Sequence, residues 1–183
     1  SCLHVTPLVL DFLAKNPREP FFLMTGFSET HRPFPEHDGS VNDIEGFPYL
    51  PDVENVRRDI AALNILVRRV DEKVGEILGA VDDAGLRENM LVTFTTDHGV
   101  AFPGAKATLF DPGIEIAMLM RGTGVFEGGK HTDTLLSNLD FAPTILDLCG
   151  IPVPSKMQGR SILPVLRGEA NKIYDQIFVE QTY

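Results

Sequence analysis

Asp97 and His98 stand side by side at the end of Leu91-Val92-Thr93-Phe94-Thr95-Thr96-Asp97-His98-Gly99, a short apolar run that stops at a carboxylate and an imidazole. β-Branched and aromatic residues bounded by a glycine read as a buried strand, and the glycine lets the backbone turn. Ligands of open α/β sheets sit just beyond the carboxyl ends of such strands. There the pair offers one oxygen and one nitrogen donor, half of a metal site. A pair that only caps a turn is equally compatible with these residues. His31, with Arg32 beside it, adds a proton donor and a cation, and Lys106 adds a second cation. A metal ringed by cations is the arrangement for binding a tetrahedral oxyanion, sulfate or phosphate, and for stabilising charge during its transfer. Taken singly, a loop histidine or lysine is ordinarily just solvated. His4, His37 and His131 have no accompanying motif, and Asp82 and Asp83 fall on a solvated helix end.

These residues need elements to hold them. Thr6-Pro7 followed by Leu8, Val9, Leu10, Phe12 and Leu13 predicts a short helix with Thr6 as its N-cap. Phe21-Phe22-Leu23-Met24-Thr25 predicts the first apolar strand. The loop from Phe27 to Pro51 opens with Ser28-Glu29-Thr30-His31-Arg32-Pro33-Phe34, and its length suggests function at its start and a surface excursion over Glu36 to Gly46. Asp52 is placed to cap the longest helix. There Val53, Val56, Ile60, Leu63, Val67, Val70, Val74, Ile77 and Val81 recur at steps of three and four, and Gly85 ends it. Gly75 and Gly79 argue against a coiled coil, and the apolar strands on either side give the helix a sheet to cover. A right-handed strand–helix–strand crossover makes those strands parallel and brings His31 and Asp97/His98 to one sheet edge. Ile116 to Met120 predicts another strand. Leu135 to Leu148 predicts two short helices, the second capped by Asp140 and stopped by Gly150; Ile162 to Leu166 predicts a further helix, and Ile177 to Glu180 a last strand. The fold class expected is α/β, a mainly parallel sheet with helices on its faces, in a single domain over residues 1–183.

With 183 residues, 43% hydrophobic and 23% charged, the chain has material for one good core. A net charge of −10 argues against nucleic acid as a partner, yet leaves room for an anionic small substrate met by local positive charge. No apolar run approaches the length of a membrane span, and the start shows no basic-then-apolar leader. The absence of an initiator Met suggests a processed or truncated piece, which leaves the compartment open. Cys2 and Cys149 are too few and too far apart for a disulfide framework, and Cys149 is expected to be a buried small hydrophobe.

The order of motifs resembles the C-terminal part of the catalytic domain of the type I sulfatases, in the alkaline phosphatase superfamily. The matching stretches are Glu29-Thr30-His31-Arg32-Pro33-Phe34, the long helix ending Ala84-Gly85-Leu86, Thr95-Thr96-Asp97-His98-Gly99, and the segment from Gly104 through Lys106 to Asp111-Pro112-Gly113. Asp140-Phe141-Ala142-Pro143-Thr144 and Gly159-Arg160-Ser161 follow in the family's order, and the Pro103-to-Gly113 region is most similar to the branch containing heparan N-sulfatase. The resemblance implies hydrolysis of sulfate esters or sulfamates on a sulfated glycan or small molecule. It implies a divalent metal, usually calcium, held in part by Asp97 and His98, with His31, Lys106 and Arg32 on the substrate. Many members carry Asn where this chain has His98. It also implies a formylglycine nucleophile made from Cys or Ser in a Cys/Ser-x-Pro-x-Arg motif; these 183 residues contain none, nor the early aspartate pair that completes the metal site. The expectation is a catalytic domain without its nucleophile half, inactive alone and prone to self-association through exposed sheet edges. Two readings remain beside it: a phosphate or phosphonate ester hydrolase of the same superfamily, and a non-catalytic binding or assembly module.

Overall fold

Alternating apolar steps of three and four make the longest element, α2 (Glu54–Asp83). The computed structural model describes residues 5–181, so Cys2 and His4 lie outside it. The other elements are α1 (Val5–Ala14), β1 (Leu91–Thr95), α3 (Asp111–Ile114), β2 (Met118–Gly122), α4 (Phe141–Leu148) and α5 (Leu163–Leu166). Single 3₁₀ turns occupy Arg87–Asn89 and Asn138–Asp140. The chain divides into two compact units. One holds the residues up to Arg87 with Ala101–Lys106, and the other holds Glu88–Val100 with the residues from Ala107 onward.

In the first unit α1 packs on α2. Val9 and Leu13 of α1 are buried with Ile60, Ala61, Ala62, Leu63, Leu66, Val70 and Val81 of α2. Each such large aliphatic removed from water contributes about 1.5–3 kcal/mol. The buried stripe keeps Ile60, Leu63, Val70 and Val81 of the predicted face, takes in Ala61, Ala62 and Leu66, and leaves Val53 and Val67 about half exposed. The helix ends as predicted. Gly85 takes a φ of +70°, donating to the Asp82 carbonyl, and Leu86 N–H reaches back to Val81, a full Schellman closure. Its start differs. Val53 occupies the cap position without a side-chain cap, while Asp52 accepts both prongs of Arg57 at 2.6 and 2.7 Å. Thr6 likewise lies inside α1 rather than capping it.

The segment 21–25 forms no strand. Among the described residues its backbone makes no hydrogen bond, and Phe22 and Met24 are largely exposed. Propensity made these residues strand-like, but a strand exists only with a partner. The predicted parallel crossover is therefore absent among the described residues, and within its unit α2 packs on α1. The expected surface excursion over 36–46 is also tied down: Val41 is buried, and Arg58 donates to the His37 carbonyl at 2.8 Å.

The second unit carries the single sheet of the described residues. β1 and β2 pair antiparallel, with Leu91 opposite Gly122, Thr93 opposite Met120 and Thr95 opposite Met118. β2 lies two residues later than predicted and takes in Arg121. Helix and sheet together are consistent with an α/β protein. α4 ends at Gly150, φ +67°, as expected, and Cys149 beside it is exposed, contrary to the expected buried hydrophobe. A helix C-terminus that closes toward water puts its last residue outside the core. The segment 177–180 is no strand either, and Phe178 is almost fully exposed.

Asp140 is the buried polar centre of this unit. Its side chain does not cap α4; it caps the backbone around it. One carboxylate oxygen accepts from Ser137 N–H at 2.8 Å, and the other from Arg160 N–H at 2.8 Å and the Tyr174 hydroxyl at 2.6 Å. Thr144 continues the network, donating to the Asp140 carbonyl at 2.5 Å and accepting from Ile162 N–H at 3.0 Å. A buried carboxylate is tolerated only when its lone pairs are met in this way. No helix of the described residues is long and apolar enough to cross a membrane.

Candidate active site

His31 sits in a tight turn, its N–H donating to the Ser28 carbonyl at 3.0 Å. Its Nδ1 lies 2.7 Å from the Arg32 carbonyl oxygen. A carbonyl only accepts, so Nδ1 carries the hydrogen and Nε2 of the neutral ring keeps its lone pair. The imidazole is exposed, and Nε2 is the atom it offers.

Two ion pairs hold this turn to α2, one on each side of His31. Glu29 pairs with Lys73, and Arg32 Nη2 donates to Asp59 at 2.8 Å. Asp59 and Lys73 share a face of α2 because their separation is close to a whole number of helical turns. Burial alone would raise the Glu29 carboxyl. The Lys73 hydrogen bond, the backbone donors of Glu29 and Ser28 and the Lys73 charge outweigh it and hold the group below the usual carboxylate range.

Arg32 does more than pair. Its Nε donates to the Ala101 carbonyl at 2.7 Å, and its guanidinium lies 4.1 Å from the Phe34 ring centre and 5.0 Å from that of Phe102. Phe102 is buried against Phe34 and Phe47, at 5.8 and 5.5 Å between centroids, and Ala105 is wholly enclosed. Lys106 leaves that anchored turn half-buried, and no hydrogen bond or ion pair engages its ammonium among the described residues. Ala107, at φ +64°, follows it in a conformation that L-residues seldom adopt. An unpaired, half-buried cation held by a packed turn is suited to an oxyanion.

In the second unit β1 delivers Asp97 and His98. His98 repeats the arrangement of His31: Nδ1 lies 2.7 Å from the Gly99 carbonyl oxygen, so Nε2 is the open nitrogen. Asp97 accepts His98 N–H on Oδ1 at 3.1 Å, and its Oδ2 lies 3.5 Å from His98 Nε2. Donors at about 2.0–2.5 Å from one cation stand roughly 3–4 Å apart, so this bite fits two ligands of a divalent ion. The Asp97 side chain is 87% exposed, which leaves it room to coordinate. Among the described residues no group of three or more His, Cys, Asp or Glu gathers that could hold a metal ion. Gly99 is needed here for closeness rather than for an unusual φ. A Cβ on it would lie 1.8 Å from the Pro112 carbonyl oxygen, and its N–H bonds the Gly113 carbonyl at 3.0 Å.

The five residues picked from sequence thus divide, with His31, Arg32 and Lys106 in one unit and Asp97 and His98 in the other. Sequence reasoning missed Glu29, Asp59, Lys73 and Phe102. The signal for two of them was available: Asp59 and Lys73 fall on one helix face at a spacing that suits opposite charges on a nearby loop.

The chain is similar to several known proteins. The human N-sulphoglucosamine sulphohydrolase is 31% identical over 96% of this chain and 42% of its own length. A solved Bacteroides thetaiotaomicron protein from the metabolism of multiple glycosaminoglycans superposes with a TM-score of 0.70 at 29% identity, over 94% of this chain and 40% of that one. The phosphonate monoester hydrolase of Silicibacter pomeroyi superposes with a TM-score of 0.56 at 28% identity, over 66% of this chain and 25% of that one. The chain therefore spans less than half the length of these relatives. The profile of one family, Sulfatase, matches residues 4–151, most of the chain and all five candidate residues, and the protein belongs to that family.

Proposed function

We propose that this chain is part of the catalytic domain of a metal-assisted hydrolase of sulfate esters or sulfamates, acting on a sulfated glycan or small molecule. One observation carries the reading: in a Sulfatase-family chain, Asp97 Oδ2 and His98 Nε2 stand 3.5 Å apart, a separation that two ligands of one divalent cation would have. The two residues would hold the cation, calcium by family resemblance, although an imidazole nitrogen suits softer ions better than calcium. Such a cation, when bound, draws charge from a sulfate oxygen. His31 presents Nε2 to the sulfate or its leaving group, and Lys106 binds an anionic oxygen with its unpaired ammonium. No Cys/Ser-x-Pro-x-Arg motif occurs in these residues and Cys149 is followed by Gly150-Ile151-Pro152, so no step through formylglycine is assigned to this chain. A mainly parallel sheet belongs, on this reading, to the complete protein; the support is the long helix standing between the strand-like sequence of 21–25 and β1.

The test uses the complete protein. Aryl sulfate hydrolysis is expected to exceed aryl phosphonate hydrolysis, to fall on chelation and to return with calcium. His31→Ala and Lys106→Ala should each lower kcat/KM by roughly 10²–10³-fold. Equal or better turnover of the phosphonate ester would favour the second reading, which rests on the Silicibacter pomeroyi structure. Full activity of both variants would exclude these residues from the chemistry.

A further inference from the structure

Arg32 was expected on the substrate, yet two of its three guanidinium nitrogens are engaged within the protein and its face is stacked on aromatic rings. We propose that Arg32 and Asp59 are positioning residues, a clamp that sets His31 and the Lys106 turn against α2 rather than a contact to the sulfate. The inference rests on the function proposed above and deepens it. Arg32 touches four partners at once: Asp59 on α2, the Ala101 carbonyl at the start of the Lys106 turn, Phe34 in its own loop and Phe102 in that turn. Its own carbonyl accepts the Nδ1 hydrogen of His31 and selects the tautomer that leaves Nε2 open. One residue thereby fixes where the His31 loop lies, which ring nitrogen is offered, and where the segment leading to Lys106 begins.

The fork geometry requires arginine. Nε and Nη2 point to different acceptors while the planar cation lies on Phe34 and Phe102, and a lysine ammonium is a point charge that reproduces only one of these contacts. The Glu29–Lys73 pair on the other side of His31 completes the attachment. Magnitudes separate this role from stability. The Arg32 and Asp59 side chains are 39% and 45% exposed, and ion pairs so exposed contribute only about 0–1 kcal/mol to folding. Displacement of a reacting group by about 1 Å can lower turnover on the order of 100-fold. Loss of the clamp should therefore appear in kcat and barely in the melting temperature.

The experiment compares Asp59→Asn, Arg32→Lys and Arg32→Ala in the complete protein on an aryl sulfate, with thermal unfolding alongside. Expected is a 10- to 100-fold fall in kcat for Asp59→Asn and Arg32→Ala, with KM changed less than about twofold and unfolding nearly unaltered; Arg32→Lys recovers only part. Wild-type kcat in Asp59→Asn together with a raised KM in Arg32→Ala makes Arg32 a substrate contact and overturns the proposal. A lower melting temperature with unchanged kcat per folded molecule makes the pair merely structural and overturns it as well. The His31 ring is followed separately by nitrogen NMR in the complete protein, with a single Nδ1–H tautomer expected in the parent and a tautomer mixture in Arg32→Ala. An unchanged ring in Arg32→Ala sinks the clamp whatever the activity. If His31→Ala keeps full turnover while Arg32→Ala still disturbs the ring, the sulfatase role of His31 has failed and the clamp stands.

Discussion

At the scale of single residues, His31 and His98 are prepared in the same way. Each gives its Nδ1 hydrogen to the carbonyl of the next residue, so the backbone chooses the tautomer and the outward nitrogen is Nε2 in both. Asp140 shows the other use of a charged side chain, organising backbone from within the core. Its phenolic partner carries a measurable consequence. Burial, and then the hydrogen bond to the Asp140 carboxylate and that carboxylate's charge, push the Tyr174 hydroxyl up to about 12. An unfolded tyrosine ionises near 10. Between those values the folded chain holds a proton that the unfolded chain has lost. The stabilising effect is therefore complete below pH 10 and disappears as pH climbs toward 12. Urea unfolding of Tyr174→Phe should show a loss of about 1.5–3 kcal/mol at pH 8 and a smaller decline than the parent between pH 10 and 12. Parallel declines would mean that Tyr174 is not the group responsible.

At the scale of elements, the position of the Asp97-His98 pair depends on how closely β1 can turn. Gly99 lies against the Pro112-Gly113 backbone of α3. Adding one methyl forces that backbone away, since an approach of 1.8 Å to a carbonyl oxygen is impossible. Gly99→Ala should cost about 1–3 kcal/mol, as overpacking does. It should also weaken calcium or manganese binding in the complete protein, because the Gly99 carbonyl holds the His98 ring. Equilibrium unfolding and calorimetric titration read the two effects, and parent-like values in both would remove Gly99 from this role. The Lys106 turn is placed by different means, through the buried Phe102 and Ala105.

At the scale of the whole molecule, apolar surface remains uncovered. Phe22, Met24 and Phe178 are 73%, 83% and 89% exposed, and they lie in segments whose composition favours strands. Strand-forming backbone without partners is a template for pairing with another chain. The 183-residue chain is expected to self-associate in sedimentation or light scattering, and a Phe22→Lys, Met24→Lys double variant to associate less. A parent that stays monomeric across the accessible concentration range would show that this surface is not adhesive.

What was legible in the sequence was local. The α2 periodicity, the glycine closures at Gly85 and Gly150 and β1 all follow from side-chain spacing and backbone freedom, which neighbouring residues settle among themselves. What only the tertiary structure decided was partnership. Strand propensity at 21–25 and 177–180 names no partner, and those segments stay unpaired, so β1 has no parallel neighbour at 21–25 and pairs antiparallel with β2 instead. Arg32 illustrates the same division within the candidate site: its type and place were plain, but its attachment to Asp59, Ala101 and the Phe34 ring is long-range. A cation on a loop takes whichever acceptor the fold brings within about 3 Å, and no spacing along the chain specifies that acceptor.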